Sequence, residues 1–212
     1  WSEYKQYFER DAALERRFQM VKVDEPDDDT ACLMLRGLKS RYAEHHHVHI
    51  TDDAVRAAVT LSRRYLTGRQ LPDKAVDLLD TAAARVRMSL DTVPEQLTCI
   101  RSQITSLEME KQALLEDIAV GNQSHGERLT VIEQEENALI VALDELETQY
   151  GQELKLTEQL LESRQDISRQ SETRALQQEL NGMQHSNPLL SLDVDVRTVA
   201  NVIADWTGVP LS

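Results

Sequence analysis

Two runs of apolar residues at heptad steps constrain this chain more than any other feature. Leu97, Ile100, Ile104, Leu107, Leu114 and Ile118 fall on one helical stripe, with Lys111 in the missing inner position. After "GNQSHG" (121–126), a loop with a glycine at each end, Leu129, Ile132, Leu139, Leu143, Leu146 and Tyr150 keep the same register, interrupted by Glu136. A repeat of this period buries a narrow seam between helices and nothing wider. The same heptads support pairing within one chain or between two, and an intramolecular hairpin is the expectation. Beyond Gly151 the spacing slips at Leu154, Leu156, Leu160 and Leu161, predicting a register shift or a kink. A third piece carries Leu176 and Leu180.

The flanks have a globular texture. "MVKV" (20–23) alternates like a short buried strand, and "DEPDDD" is a turn. A helix is predicted over 30–43, with Leu35 and Leu38 inside. A second begins after Thr51 as N-cap, with Val55, Ala58, Val59, Ser62 and Leu66 on its inner face. A third starts at Pro72 in its first turn and carries Val76, Leu79, Ala83, Val86 and Leu90. Near the end, "NPLLSLDVD" reads as an extended connector with a short strand at 190–192. Asp195 then caps a helix whose face is Val196, Val199, Ile203 and Trp206, with Gly208 as C′ residue and Pro210 as a stop. One helix cannot bury such a stripe alone. The simplest partner is the first block, which makes the coiled coil an insertion into one small, mainly α domain.

Charge and motifs exclude several function classes. A net charge of −14 argues against nucleic acid or an anionic membrane as partner. No apolar run is long enough to span a bilayer. The sequence contains no GxxxxGKS/T loop and no nucleophile elbow, so the chain by itself is not expected to be an active enzyme. "HHHVH" (45–49) invites a metal, but only His47 and His49 share a face in an extended run; the spacing favours a polar turn and no metal site. Cys32 and Cys99 lie in helical patterns, which predicts buried, reduced thiols and a cytosolic setting. The opening at Trp1 reads as an excised piece of something longer.

One feature remains: the pair Arg16 and Arg17 in "DAALERRFQ". On a surface such a pair is ordinarily only solvated charge. Its surroundings change that. The order of "WSEYKQYFERDAALERRFQ", strand, acidic turn, two helices, "GRQLPDKAVDLLD" and closing "VANVIADWTGVPLS" resembles the first AAA+ module of the ClpB/ClpV branch of ring-forming unfoldases, over essentially the whole chain.

The resemblance implies that Arg16 and Arg17 are arginine fingers acting in trans on ATP held by a neighbouring subunit. It places Pro72 and Asp73 near the base or ribose and Arg69 near the phosphates. ATP and Mg2+ would be bound mainly by parts of the protein outside this chain. It also implies a homo-hexamer and a bacterial cytoplasmic location. The corresponding divisions are residues 1–26, the end of the large subdomain; 27–93, the first part of the small subdomain; 94–187, a coiled-coil middle domain; and 188–212, the closing strand and helix. Within the branch, the short insertion, Trp1 and "PLLSLDVD" look like the ClpV family, implying contracted type VI secretion sheaths as substrate. A ClpB-type disaggregase working with Hsp70 is the alternative, and a non-enzymatic coiled-coil adaptor the second.

Overall fold

The computed structural model describes residues 21–68, 70–121, 124–184 and 188–210. Among them the elements are α1 (Asp28–His46), β1 (His49–Ile50), α2 (Asp52–Tyr65), α3 (Asp73–Asp91), α4 (Glu95–Ala119), α5 (Gly126–Ser163), a 3-10 turn (Ile167–Arg169), α6 (Gln170–Met183), β2 (Asp193–Val194) and α7 (Val196–Thr207). The protein is mainly α, as its periodicities predict.

Short polar side chains set the helix starts. Asp27 accepts from Thr30 N at 2.8 Å and caps α1, which starts two residues before the predicted position. Thr51 accepts from Ala54 N at 3.2 Å and opens α2. Asp195 and Thr198 form a reciprocal capping box on α7, which ends at Gly208 with φ 71°. That left-handed turn suits a residue without Cβ.

The first core is built from both ends of the chain. Leu35 of α1, Val55 and Val59 of α2, and Leu78 and Leu79 of α3 pack with Val194, Val199, Val202 and Ile203. Of the expected inner stripe, Val199 and Ile203 are fully buried and Val202 joins them, while Val196 and Trp206 are 46% and 43% exposed. β1 and β2 pair in parallel, His49 opposite Asp193 and Ile50 opposite Val194. Thr51 completes the closure: its N–H and its hydroxyl both donate to Val194 O, at 3.0 and 3.2 Å, across 143 positions of sequence.

Arg36 of α1 grips Asp52 at the start of α2 with two bonds of 2.6 and 3.0 Å. The guanidinium holds the Asp52 carboxyl down from 3.8 to about 2. A lowered carboxylate stabilises the fold above its ordinary range, and the contribution is lost as pH falls toward 2. An NMR titration is expected to place the Asp52 midpoint near 2, and Arg36→Ala to return it toward 3.8.

The inserted part is a long helix with two partners. α5 runs unbroken for 38 residues. Its first half lies antiparallel to α4, bridged by Arg101–Glu147 and Arg128–Glu110, both at 2.7 Å. Its second half turns Leu156 and Leu160 toward Leu176, Leu180 and Met183 of α6. The slip after Gly151 is thus a change of partner along a continuous helix.

The two polar interruptions of the seam meet each other. Lys111 Nζ lies 3.4 Å from Glu136 Oε2, and the carboxylate is only 16% exposed. A polar pair in a narrow seam fixes register at some cost in stability. Lys111→Leu alone is expected to destabilise the hairpin by about 1–3 kcal/mol, because Glu136 loses its partner. Lys111→Leu with Glu136→Leu is expected to be neutral or stabilising, as read from urea midpoints.

Three local expectations fail. Val21 and Val23 are 77% and 85% exposed and form no strand. Alternation without a neighbouring strand has nothing to pair with, and among the described residues none lies beside them. The strand expected at 190–192 sits instead at Asp193–Val194, because the Leu190 N–H is taken by Glu153 at 3.0 Å. Cys32 is buried, but Cys99 is exposed, since a two-helix seam covers only one stripe.

Candidate functional site

The junction of α2 and α3 gathers the polar groups the core leaves out. α2 stops at Leu66, and Gly68 turns the chain with φ 91°, a conformation open to glycine. Leu71 is buried, and its N–H donates to Glu25 Oε1 at 2.8 Å. Pro72 then precedes α3 without a side-chain cap, its carbonyl accepting from Ala75 N and Val76 N at 3.0 Å.

Lys74 is the unexpected member. It is 6% exposed, on the inner face of α3 beside Leu78. Its ammonium donates to Leu66 O at 3.2 Å and lies 4.0 Å from Glu25 Oε1. A buried ammonium requires such partners. Arg63 adds bonds to Asp28 Oδ1 at 2.5 Å and Pro26 O at 2.9 Å, so the acidic segment entering α1 is tied to the end of α2. Leu66, Thr67, Lys74 and Trp206 line a recess of about 220 Å3. Its lining is an indole and an aliphatic wall beside an ammonium already held by Leu66 O and Glu25, and it supplies no nucleophile.

Of the residues singled out by sequence, the structure brings Pro72, half-buried, and exposed Asp73 to the edge of this junction. Arg16, Arg17 and Arg69 lie outside the described residues. Glu25, Lys74 and Trp206 were not anticipated as neighbours. Lys74 lies one turn before Leu78 on the buried face of α3, which the predicted stripe of Val76, Leu79, Ala83, Val86 and Leu90 overlaps only in part.

The histidine run divides. His45 and His46 end α1, His47 takes the left-handed position with φ 53°, and His49 opens β1. His46 Nε2 lies 2.7 Å from Asp80 Oδ1 and ties α1 to α3. Among the described residues no three His, Cys, Asp or Glu side chains gather as a metal-ligand set. No described helix is long and apolar enough to cross a membrane.

Comparison with known proteins agrees with this architecture. Residues 27–133 match the AAA lid domain family. The chaperone protein ClpB of Bacteroides thetaiotaomicron is 41% identical over 233 residues, covering 99% of this chain and 27% of that protein. The AAA+ ATPase ClpV1 of Pseudomonas aeruginosa is 38% identical over 243 residues, covering 100% of this chain and 26% of that protein. Among solved structures, the S. cerevisiae Hsp104–ADP complex superposes with a TM-score of 0.51 at 29% identity, over 98% of this chain and 34% of that one. The chain spans about a quarter of the curated relatives it matches.

Proposed function

We infer from the family to which this chain belongs, the AAA lid domains in their ClpB/ClpV branch, that it serves as the lid and middle domain of a hexameric, ATP-driven unfoldase. The observation that carries this is the closure of one small core by residues on both sides of a coiled-coil insertion, β1 against β2 and α7 against α2 and α3. In this reading residues 1–26 end the large subdomain, 27–93 and 188–212 form the lid, and 94–187 form the middle domain. Arg16 and Arg17 act on ATP and Mg2+ bound by a neighbouring subunit. Pro72 and Asp73 face the base or ribose, and Arg69 the phosphates. The isolated chain, which has no GxxxxGKS/T loop, is expected to show no ATP turnover. The setting proposed is the bacterial cytoplasm.

The substrate proposed first is the contracted type VI secretion sheath, whose subunits the hexamer would recycle. The basis is the resemblance of "PLLSLDVD" and the short insertion to ClpV. The aligned spans, 243 residues for ClpV1 and 233 for ClpB, both exceed this chain and do not by themselves favour ClpV. The 41% identity to ClpB favours a second reading, a disaggregase working with Hsp70. The test offers full-length protein and ATP two substrates: a contracted sheath, and an aggregated model protein with an Hsp70 system. Disassembly of the sheath alone supports the first reading, and recovery of the aggregate alone replaces it with the second.

A further inference from the structure

Glu153 stands where a coiled coil has no use for a carboxylate. It lies in the second half of α5 with 0% of its surface exposed. Four N–H groups converge on it. Gln149 Nε2 donates to Oε1 at 2.8 Å. Oε2 accepts from Gln184 Nε2 at 3.0 Å, Leu189 N at 3.1 Å and Leu190 N at 3.0 Å. Gln184 Nε2 also donates to Leu190 O at 2.8 Å. These donors come from α5 itself, from the end of α6, and from the connector that runs into β2.

Burial of the carboxylate and of two backbone N–H groups would each be costly alone; here each satisfies the other. Further along, Arg164 at the end of α5 holds Asp193 of β2 with bonds of 2.7 and 2.8 Å, and Gln177 of α6 at 3.0 Å. Leu156, Leu160, Leu180 and Leu192 fill the space between, against Leu90 of α3. The polar and apolar contacts therefore run from the middle domain to the lid through the connector.

We propose that Glu153 is a latch that makes the base of the middle domain and the lid one rigid lever. A displacement at the tip of the α4–α5 hairpin then reaches β2 and α7, and the connector does not absorb it. The role is positional, and it rests on acceptor geometry more than on charge. Glu153→Ala leaves Leu189 N and Leu190 N without an acceptor, so the connector must open to water. Glu153→Gln keeps one oxygen facing those two groups, and the Gln149 amide can turn to accept from the new NH2.

The test uses the 212-residue chain. Spin labels go on Val120→Cys, 86% exposed near the tip, and on Asn201→Cys, exposed on α7, with Cys99→Ser removing the exposed native thiol. Pulsed distance measurements are combined with residue-resolved hydrogen exchange. In Glu153→Ala, exchange at Leu189 and Leu190 is expected to rise roughly 5- to 150-fold, and the tip-to-lid distance distribution to broaden. Exchange at Ala58 and Val59 in the lid core is expected to stay unchanged. Glu153→Gln is expected to keep the narrow distribution. A distribution that stays narrow in Glu153→Ala overturns the latch. Lid-core exchange rising together with the connector overturns it too, making Glu153 a general stabiliser, and Glu153→Gln behaving like Glu153→Ala overturns the acceptor geometry.

Discussion

In the full-length protein, read as the ring ATPase proposed above, replacing Arg16 or Arg17 by alanine is expected to lower turnover at the module it serves by about 10³ to 10⁵. The expectation follows from the charge that phosphoryl transfer spreads over the departing γ-phosphate. A guanidinium fork supplied by the next subunit stabilises that charge with two directed bonds, and a lysine cannot reproduce the fork. Arg16→Lys and Arg17→Lys are therefore expected to rescue little. Nucleotide binding should survive, because in the proposed arrangement these arginines act on a neighbour's ATP. The measurement is steady-state ATPase activity of an assembled hexamer with its second module silenced. Unchanged turnover there would remove both arginines from the proposed site.

The second large effect is on stability. Ile203→Ala is expected to destabilise the chain by about 2–5 kcal/mol. Ile203 is fully buried in α7, in the core shared with α2 and α3. The loss leaves a cavity between elements that cannot close over it, since β2 and the capping box fix both the position and the entry of α7. A cost of that size is a large part of the roughly 5–15 kcal/mol that holds an ordinary domain together. Trp206→Ala, at a residue 43% exposed, should cost far less. Urea midpoints of the two variants check the contrast, and equal shifts would show that α7 does not complete the core.

Local signals carried much of the helical plan. Thr51 and Asp195 announce their helices because a short oxygen at that position satisfies an orphan N–H within three residues. The heptads from Leu97 to Tyr150 announce a seam because residues three and four apart share a face. Failures came where a residue's partner is distant. Val21 and Val23 alternate like a strand, yet alternation does not supply a second strand. Cys99 has apolar neighbours in sequence, but α4 buries one stripe and leaves the thiol outside it. Glu153 looks like any acid on a helix surface until the connector returns to cover it.

The junction of α2 and α3 was legible only in part. "LPDKAV" marks a helix start, and Pro72 does stand immediately before α3. The ties of Lys74 to Leu66 and Glu25 need three segments folded together before they exist. Helix starts, stripes and their periods are properties of neighbouring residues, so the sequence by itself determined a mainly α chain with a coiled-coil insertion. Parallel pairing of His49 with Asp193, the change of partner along α5 and the burial of Glu153 join residues far apart in the chain. Tertiary structure alone decided these, because such contacts form only after the loop between them has closed.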